Sequence, residues 1–250
     1  MRWWPLFVTP ILVMALVSVP ATARAQINLA WNDCITQPGQ QQNIAYACDG
    51  SAIAPFRAVM SFIPPVNLTA FVGMYAYVDI VLSVPQLPDY WRLGVGECRQ
   101  GGLVFPTSLS GIGTGSTGIC RNPWLGADTT GGGFVYTSEY LGVHYSAQVT
   151  LAFARDSETS LTAHQQYVAG VFEIHPDVNS ESCSGCGVEA CLSLNWIELF
   201  QTPGATSQDI VTLVGAAQRQ IVTWQNTSPF PLCVVPVRKT TWGSVKALYR

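Results

Sequence analysis

Ala70-Phe71-Val72-Gly73-Met74-Tyr75-Ala76-Tyr77-Val78-Asp79-Ile80-Val81-Leu82-Ser83 decides the fold. Val72, Met74, Ala76, Val78, Ile80 and Leu82 share one parity, and Tyr75, Tyr77 and Asp79 the other. Successive side chains of an extended chain point to opposite faces, so this pattern predicts a half-buried antiparallel strand. Residues 147–155 repeat it, with Val149, Leu151 and Phe153 alternating with Thr150, Ala152 and Ala154. Working outward, further strands are expected at 27–31, 54–62, 103–105, 133–137, 167–174, 190–200, 210–214 and 219–224. They are separated by Gly, Pro, Asn, Asp and Ser clusters, and no helical periodicity appears among them. The pattern predicts an all-β chain folded as one antiparallel β-sandwich of general immunoglobulin or cohesin architecture. The Gly-rich stretches 111–118 and 131–133 read as loops. At the end, Trp242, Val245, Leu248 and Tyr249 share a helical face, with Lys246 and Arg250 toward its negative pole, so a short helix is expected over 241–250.

The first 25 residues have the form of an export signal. Arg2 is the positive start, residues 6–19 are apolar but for Thr9, Pro10 and Ser18, and Ala23-Arg24-Ala25 supplies small residues at −3 and −1. Cleavage after Ala25 is expected, leaving residues 26–250 as a single secreted domain, periplasmic or extracellular. The apolar run is shorter than the roughly 20 residues of a spanning helix, so no integral membrane insertion is expected after cleavage. Losing Arg2 and Arg24 from 12 basic residues against 15 acidic ones takes the net charge from −3 to about −5, which argues against capture of nucleic acid or anionic lipid. Cysteine density and unequal strand lengths argue against a transmembrane barrel.

All eight cysteines lie beyond the signal, in a chain bound for an oxidising compartment, where disulfides are the expected state. Proximity in sequence pairs Cys34 with Cys48 and Cys98 with Cys120. Cys183, Cys186, Cys191 and Cys233 allow three connectivities; one local bridge within residues 183–191 and one longer bridge to Cys233 are expected, with the choice of sulfurs left open. Cys183-x-x-Cys186 with Cys191 and Cys233 also suits four thiolates on zinc, or a redox pair, but lacks the second close pair or the βαβ context those chemistries use.

No motif for catalysis or cofactor binding stands out. Gly113-x-Gly115-x-x-Gly118 matches a dinucleotide loop as a string, but Cys120-Arg121-Asn122-Pro123 follows where a helix must begin, so no cofactor is expected. Asp177, Asn179 and Glu181 have the alternating oxygen spacing of a calcium loop, without its turn glycine or its closing Glu. His144, His164 and His175 sit in different segments. Glu97, Asp128, Glu139, Asp156, Glu158, Glu173 and Glu198 supply no spacing that selects a hydrolytic pair. Trp91, Trp124, Trp196 and Trp224, with Tyr90, Tyr136, Tyr140 and Tyr145, offer rings for a sugar-stacking platform, against which stands core packing of the strand tryptophans.

Four segments carry a resemblance: residues 27–34 with Trp31-Asn32-Asp33-Cys34, residues 87–92 leading to Cys98-Arg99, Cys183-x-x-Cys186 to Cys191 before Leu194-Asn195-Trp196-Ile197, and Thr241-Trp242-Gly243-Ser244-Val245-Lys246-Ala247-Leu248-Tyr249-Arg250. Together they resemble a group of uncharacterised secreted bacterial proteins, which implies a single-unit architecture and carries over no catalytic residue. The expectation is a non-enzymatic structural or interaction protein of the cell surface or extracellular space, its partner an extracellular protein or a glycan. The alternative is a carbohydrate-binding module or glycoside hydrolase.

Overall fold

The computed structural model describes residues 26–226 apart from 36, 38, 53, 107–108, 110–119, 129, 180–181, 206 and 216–218. The export signal expected at 1–25 and the helix expected over 241–250 lie outside the described residues. Within them the chain forms β1 (Gln26–Trp31), β2 (Asn43–Ile44), β3 (Phe56–Ile63), β4 (Leu68–Leu82), β5 (Leu103–Val104) and β6 (Cys120–Arg121). There follow β7 (Thr130–Ser138), β8 (Ser146–Leu161), β9 (Gln166–Ile174), β10 (Ala190–Gln201), β11 (Ile210–Val214) and β12 (Ile221–Trp224). A smaller sheet runs β1-β3-β9-β5, with β6 also on β9, and a larger one runs β2-β12-β10-β4-β8-β7, with β11 also on β10. The two open sheets enclose the core between them, as expected of a β-sandwich. β2 and β6, two residues each, are additions to the strands expected, and residues 131–133, read as a loop, belong to β7.

β4 hydrogen-bonds β8 on one edge and β10 on the other, so its alternation sets the facing of the larger sheet. Met74, Ala76, Val78, Ile80 and Leu82 are buried, and Tyr75, Tyr77 and Asp79 lie on the opposite face as their parity requires. Val72 breaks the pattern. Phe200 faces Gly73 and Gln201 faces Phe71, so Val72 is the extra residue of a β-bulge. The bulge turns Phe71 into the core, where it is fully buried, and leaves Val72 half-buried. A Cβ on Gly73 would lie 2.8 Å from the Phe153 carbonyl, so β8 requires glycine there.

A second bulge divides β10. β12 pairs with Ala190–Ser193, β11 pairs with Trp196–Phe200 on the same edge, and Asn195 is the extra residue between Leu194 and Trp196. Trp31, Trp91 and Trp224 fill the end of the core beneath β12, with ring centroids 6.1 Å (Trp31–Trp224) and 5.3 Å (Trp91–Trp224) apart. The Trp31 and Trp224 indoles donate to the carbonyls of Thr223 and Cys186, both at 3.0 Å, which satisfies their buried N–H groups.

The cysteine pairing differs from the local one expected. The bridges are Cys34–Cys120, Cys48–Cys186 and Cys98–Cys183, in place of Cys34–Cys48 and Cys98–Cys120. β2 is drawn to β12 of the larger sheet by Asn43 opposite Thr223, which carries Cys48 away from Cys34. Arg99 draws Cys98 toward residues 175–183: its buried guanidinium donates to the carbonyls of Tyr90, Val178 and His175 and lies 3.7 Å from the centre of the Tyr90 ring. Cys191 is disulfide-bonded too, and Cys233 lies outside the described residues. Cys183 and Cys186 are therefore two staples to different parts of the chain in place of the local bridge expected within 183–191, and their sulfurs are unavailable as zinc thiolates or as a redox pair.

The Tyr46 hydroxyl meets the Tyr90 hydroxyl at 2.7 Å, and the Tyr136 hydroxyl donates to the Trp91 carbonyl. Burial raises all three phenols above their ordinary value. They stay protonated in the fold while the unfolded chain ionises near pH 10, so the stabilisation is complete below about pH 10 and is lost above it. Two outcomes follow. The denaturation midpoint is flat to about pH 9 and falls above about pH 10, with phenolate absorbance rising together with unfolding. Tyrosines of the folded protein that all titrate near 10 would contradict this. Replacing Cys34 and Cys120 together with serine removes a bridge that spans 86 residues. It costs about 4.5 kcal/mol in equilibrium denaturation, against about 3 kcal/mol for a closure as short as the local pairing.

Candidate functional site

Apolar surface is covered on the smaller sheet and open on the larger. In the smaller sheet Ala30, Val59 and Val171 form one row on the side away from the core residues Trp31 and Met60, and all three are buried. In the larger sheet the register places Val214, Trp196, Tyr77, Thr150 and Val135 in one row across β11, β10, β4, β8 and β7, on the side opposite the core. Val135 and Val214 are each 62 % exposed, and Trp196, Tyr77 and Tyr75 are half-buried. Inward neighbours on the same strands, Ile197, Ala76, Leu151 and Leu213, are fully buried.

The rings of Tyr77 and Trp196 stack across β4 and β10, with centroids 4.9 Å apart and planes within 8°. Tyr75 meets Tyr77 edge-on at 4.9 Å. Interaction with Tyr75, followed by partial burial, pushes the Tyr77 phenol up to about 12, so it is neutral across the physiological range. One row along the strands lies a polar trio. Asp79 accepts from the Gln148 amide at 2.7 Å on one carboxylate oxygen and from the Asn195 amide at 2.6 Å on the other. The β10 bulge positions Asn195 for this contact, and Ser193 Oγ donates to Asn195 Oδ1 at 3.3 Å. On the other side of Tyr75 the surface drops to Ala152, Ala154, Gly131 and Gly133. The face is an aromatic ridge between a fixed polar cluster and a floor of small residues, an arrangement suited to binding.

The rings proposed from sequence separate accordingly. Trp91, Trp224, Trp124 and Tyr90 are buried core, Tyr136 is tied to the Trp91 carbonyl, and Tyr140 and Tyr145 lie in the turn before β8. Of that set, Trp196 is the ring that the strand register places on the outer face. Tyr75 and Tyr77 complete it, and their parity with Asp79 was the signal for them.

The acidic and histidine candidates are occupied in other ways. Arg92 lies 3.2 Å from Glu139, 3.7 Å from Asp89 and 4.0 Å from Glu97, so the guanidinium sits among these carboxylates. Glu97 accepts from the Gly94 N–H and Ser138 Oγ, both at 2.7 Å. The His144 bond holds the Glu139 carboxyl below its ordinary range, which suits a structural anion better than a general acid. Glu173 pairs with Arg57 and His175, and His164 occupies the turn between β8 and β9 with φ 63°. Asn179 takes φ 50°, donates its amide to the Cys98 carbonyl and accepts the N–H groups of Ser182 and Cys183 on its own carbonyl. It works as a turn and staple residue rather than as the middle ligand of a calcium loop. Asp177 is exposed beside it, and Glu181 lies outside the described residues.

A cavity of about 310 Å³ lies against the Cys48–Cys186 bridge, lined also by Tyr46, Asp49, Ala52 and Pro176. The Asp49 carboxylate there is taken up by Ser51, through its N–H at 3.0 Å and its Oγ at 2.5 Å. Among the described residues no helix is long and apolar enough to cross a membrane, and no three His, Cys, Asp or Glu side chains are grouped to hold a metal. No protein-family model, no curated protein and no solved structure matches the chain. The outer face of the larger sheet therefore stands on its geometry alone.

A double-mutant cycle on Tyr77→Ala and Trp196→Ala checks the ridge. Coupling of about 1 kcal/mol in denaturant unfolding is expected of a stacked pair, and additive effects would show that the rings do not support one another.

Proposed function

We propose that the protein is a secreted, disulfide-stabilised, non-enzymatic structural or interaction protein of the cell surface or extracellular space, and that it meets its partner on the outer face of the larger sheet. The observation that carries this reading is the row Val214, Trp196, Tyr77, Thr150 and Val135. A sheet whose inner face already forms the core has no folding need for aromatic and aliphatic side chains on its solvent side, and exposed apolar patches of this kind mark interaction surfaces. Three bridges that tie distant parts of the chain suit an oxidising compartment. The export signal expected at residues 1–25 supports the same destination.

A glycan is the second reading, favoured by the Asp79, Asn195 and Gln148 trio beside the rings. Saccharides are recognised by stacking of their C–H faces on aromatic rings together with hydrogen bonds from amides and carboxylates to their hydroxyls. The trio is pre-ordered by its own hydrogen bonds, which lowers the entropy lost on binding.

A photo-crosslinking residue introduced at Thr150 or Thr212, in the cells that make the protein, is expected to trap a macromolecular adduct that the same residue at exposed Ser207 does not. Equal adducts at all three positions, or none, would remove the face as the contact surface. On a glycan array the second reading expects binding that Trp196→Ala reduces at least about tenfold, without release of reducing sugar.

A further inference from the structure

β7 is the end strand of the larger sheet, and no described strand or backbone hydrogen bond occupies its far edge. It is longer than β11, a further end strand of this sheet, with nine residues against five. Natural sheets blunt such edges with charge, proline, bulges or brevity, because an open row of N–H and C=O groups templates another strand. β7 has none of these devices: Thr130-Gly131-Gly132-Gly133-Phe134-Val135-Tyr136-Thr137-Ser138 contains no charge and no proline, and its pairing with β8 runs unbroken.

The glycines say what the edge pairs with. Gly132 has a reason within the chain, since a Cβ there would lie 2.1 Å from the Phe153 ring. Gly131 and Gly133 have none. Neither takes a positive φ, and a Cβ on either meets nothing within 4 Å. Glycine inside a strand weakens it by roughly 0.5–1 kcal/mol and marks places where another chain approaches closely. The sequence about Phe134 is moreover antisymmetric, with three glycines before it and Val135, Tyr136 and Thr137 after it. When two copies of β7 run antiparallel about a two-fold axis at Phe134, Val135 faces Gly133, Tyr136 faces Gly132 and Thr137 faces Gly131 of the other copy. Each glycine then receives a large neighbour, and the two half-buried Phe134 rings meet at the axis.

We infer that β7 is a homodimerisation edge, on which a second copy of this chain adds its own β7 antiparallel, in register about Phe134, to join two larger sheets into one. The symmetry closes the assembly as a two-fold dimer, so no free β7 edge is left for further growth. The inference goes beyond the binding role of the outer face and does not depend on it.

Light scattering on the full mature chain, at about 100 μM, is expected to give twice the chain mass, since an interface this small implies a Kd of order 10 μM. Val135→Lys places a charge at the edge, and Gly133→Val fills the space that Val135 of the other copy needs. Both side chains enter open solvent in the monomer, so circular dichroism and Tm stay unchanged while Kd rises at least about tenfold. Trp196→Ala remains dimeric, which separates this edge from the outer-face site. Amide exchange adds a readout of place: β7 amides are expected to be protected at high concentration and released on dilution. A wild-type chain that stays monomeric, including one whose β7 amides are protected at every concentration because residues 227–250 of the same chain cover them, overturns the proposal. So does a dimer that both substitutions leave intact.

Discussion

The pairing of β4 on both of its edges is the constraint from which the rest of the molecule follows. A strand hydrogen-bonded on one side can bend away from its partner, whereas β4 is held by β8 and β10 over most of its length. Its parity is therefore imposed on its neighbours. Where Met74, Ala76 and Val78 face the core, Leu151, Val149, Ile197 and Leu199 must do so too, and Tyr77, Thr150 and Trp196 are brought together on the far side. Besides the Asn195 bulge in β10 and the register shifts against β8, β4 has an adjustment of its own in the Val72 bulge. It lets the same strand send Phe71 inward at its start, where it packs 5.4 Å from Trp124, without moving the register of the tyrosines.

The two sheets are tied together by a second set of interactions centred on residues 183–186. Cys183 reaches Cys98 and Cys186 reaches Cys48, so a four-residue segment holds the loop after the Asp89–Trp91 turn and the loop after β2. Arg99 supports the same junction through backbone carbonyls and an aromatic face. Three backbone carbonyls and the face of Tyr90 meet its charge, which satisfies carbonyls that the irregular chain would otherwise bury unpaired. Burial opposes the charged guanidinium and lowers its affinity for the proton, and the neighbouring tyrosines oppose that effect in part. The junction is thus polar at its centre and aromatic at its rim, with Tyr46, Phe56, Trp91 and Trp224 packed around it.

How much of this was legible in the sequence depended on the range of the interaction. Strands with one buried face announce themselves by alternation, as residues 74–82 and 147–155 did, because that pattern is a local property of the chain, whereas β1 and β9 are buried along almost their whole length and show none. β2 and β6 could not, since two residues hold no alternation and each exists only through a distant partner. The Val72 bulge had a local sign in Gly73, a strand glycine of the kind that accompanies close backbone approach, but parity alone masked it. The bridges were out of reach because sequence distance measures loop entropy and says nothing of which sheet claims the intervening residues. Trp196 was legible in principle: it shares parity with Glu198, on the face opposite Ile197 and Leu199, and a tryptophan in phase with a carboxylate points out of the core.

The outer face and the free edge share a physical origin in residue size. Across β4, β8 and β7 the rows beyond Tyr77 carry Tyr75, Ala152 and Gly133, then Gly73, Ala154 and Gly131. Gly73 is demanded by the backbone of β8 within the chain, whereas Gly131 and Gly133 answer to no contact inside it. A surface selected only for solubility would fill such positions with charged or branched side chains, which also strengthen a strand. Small residues instead keep the sheet accessible from above, where the aromatic ridge stands, and from the side, where the unpaired backbone of β7 lies. Val135 belongs to both surfaces, at the end of the aromatic row and beside the glycines, so a second copy paired at β7 would continue the exposed row rather than cover it.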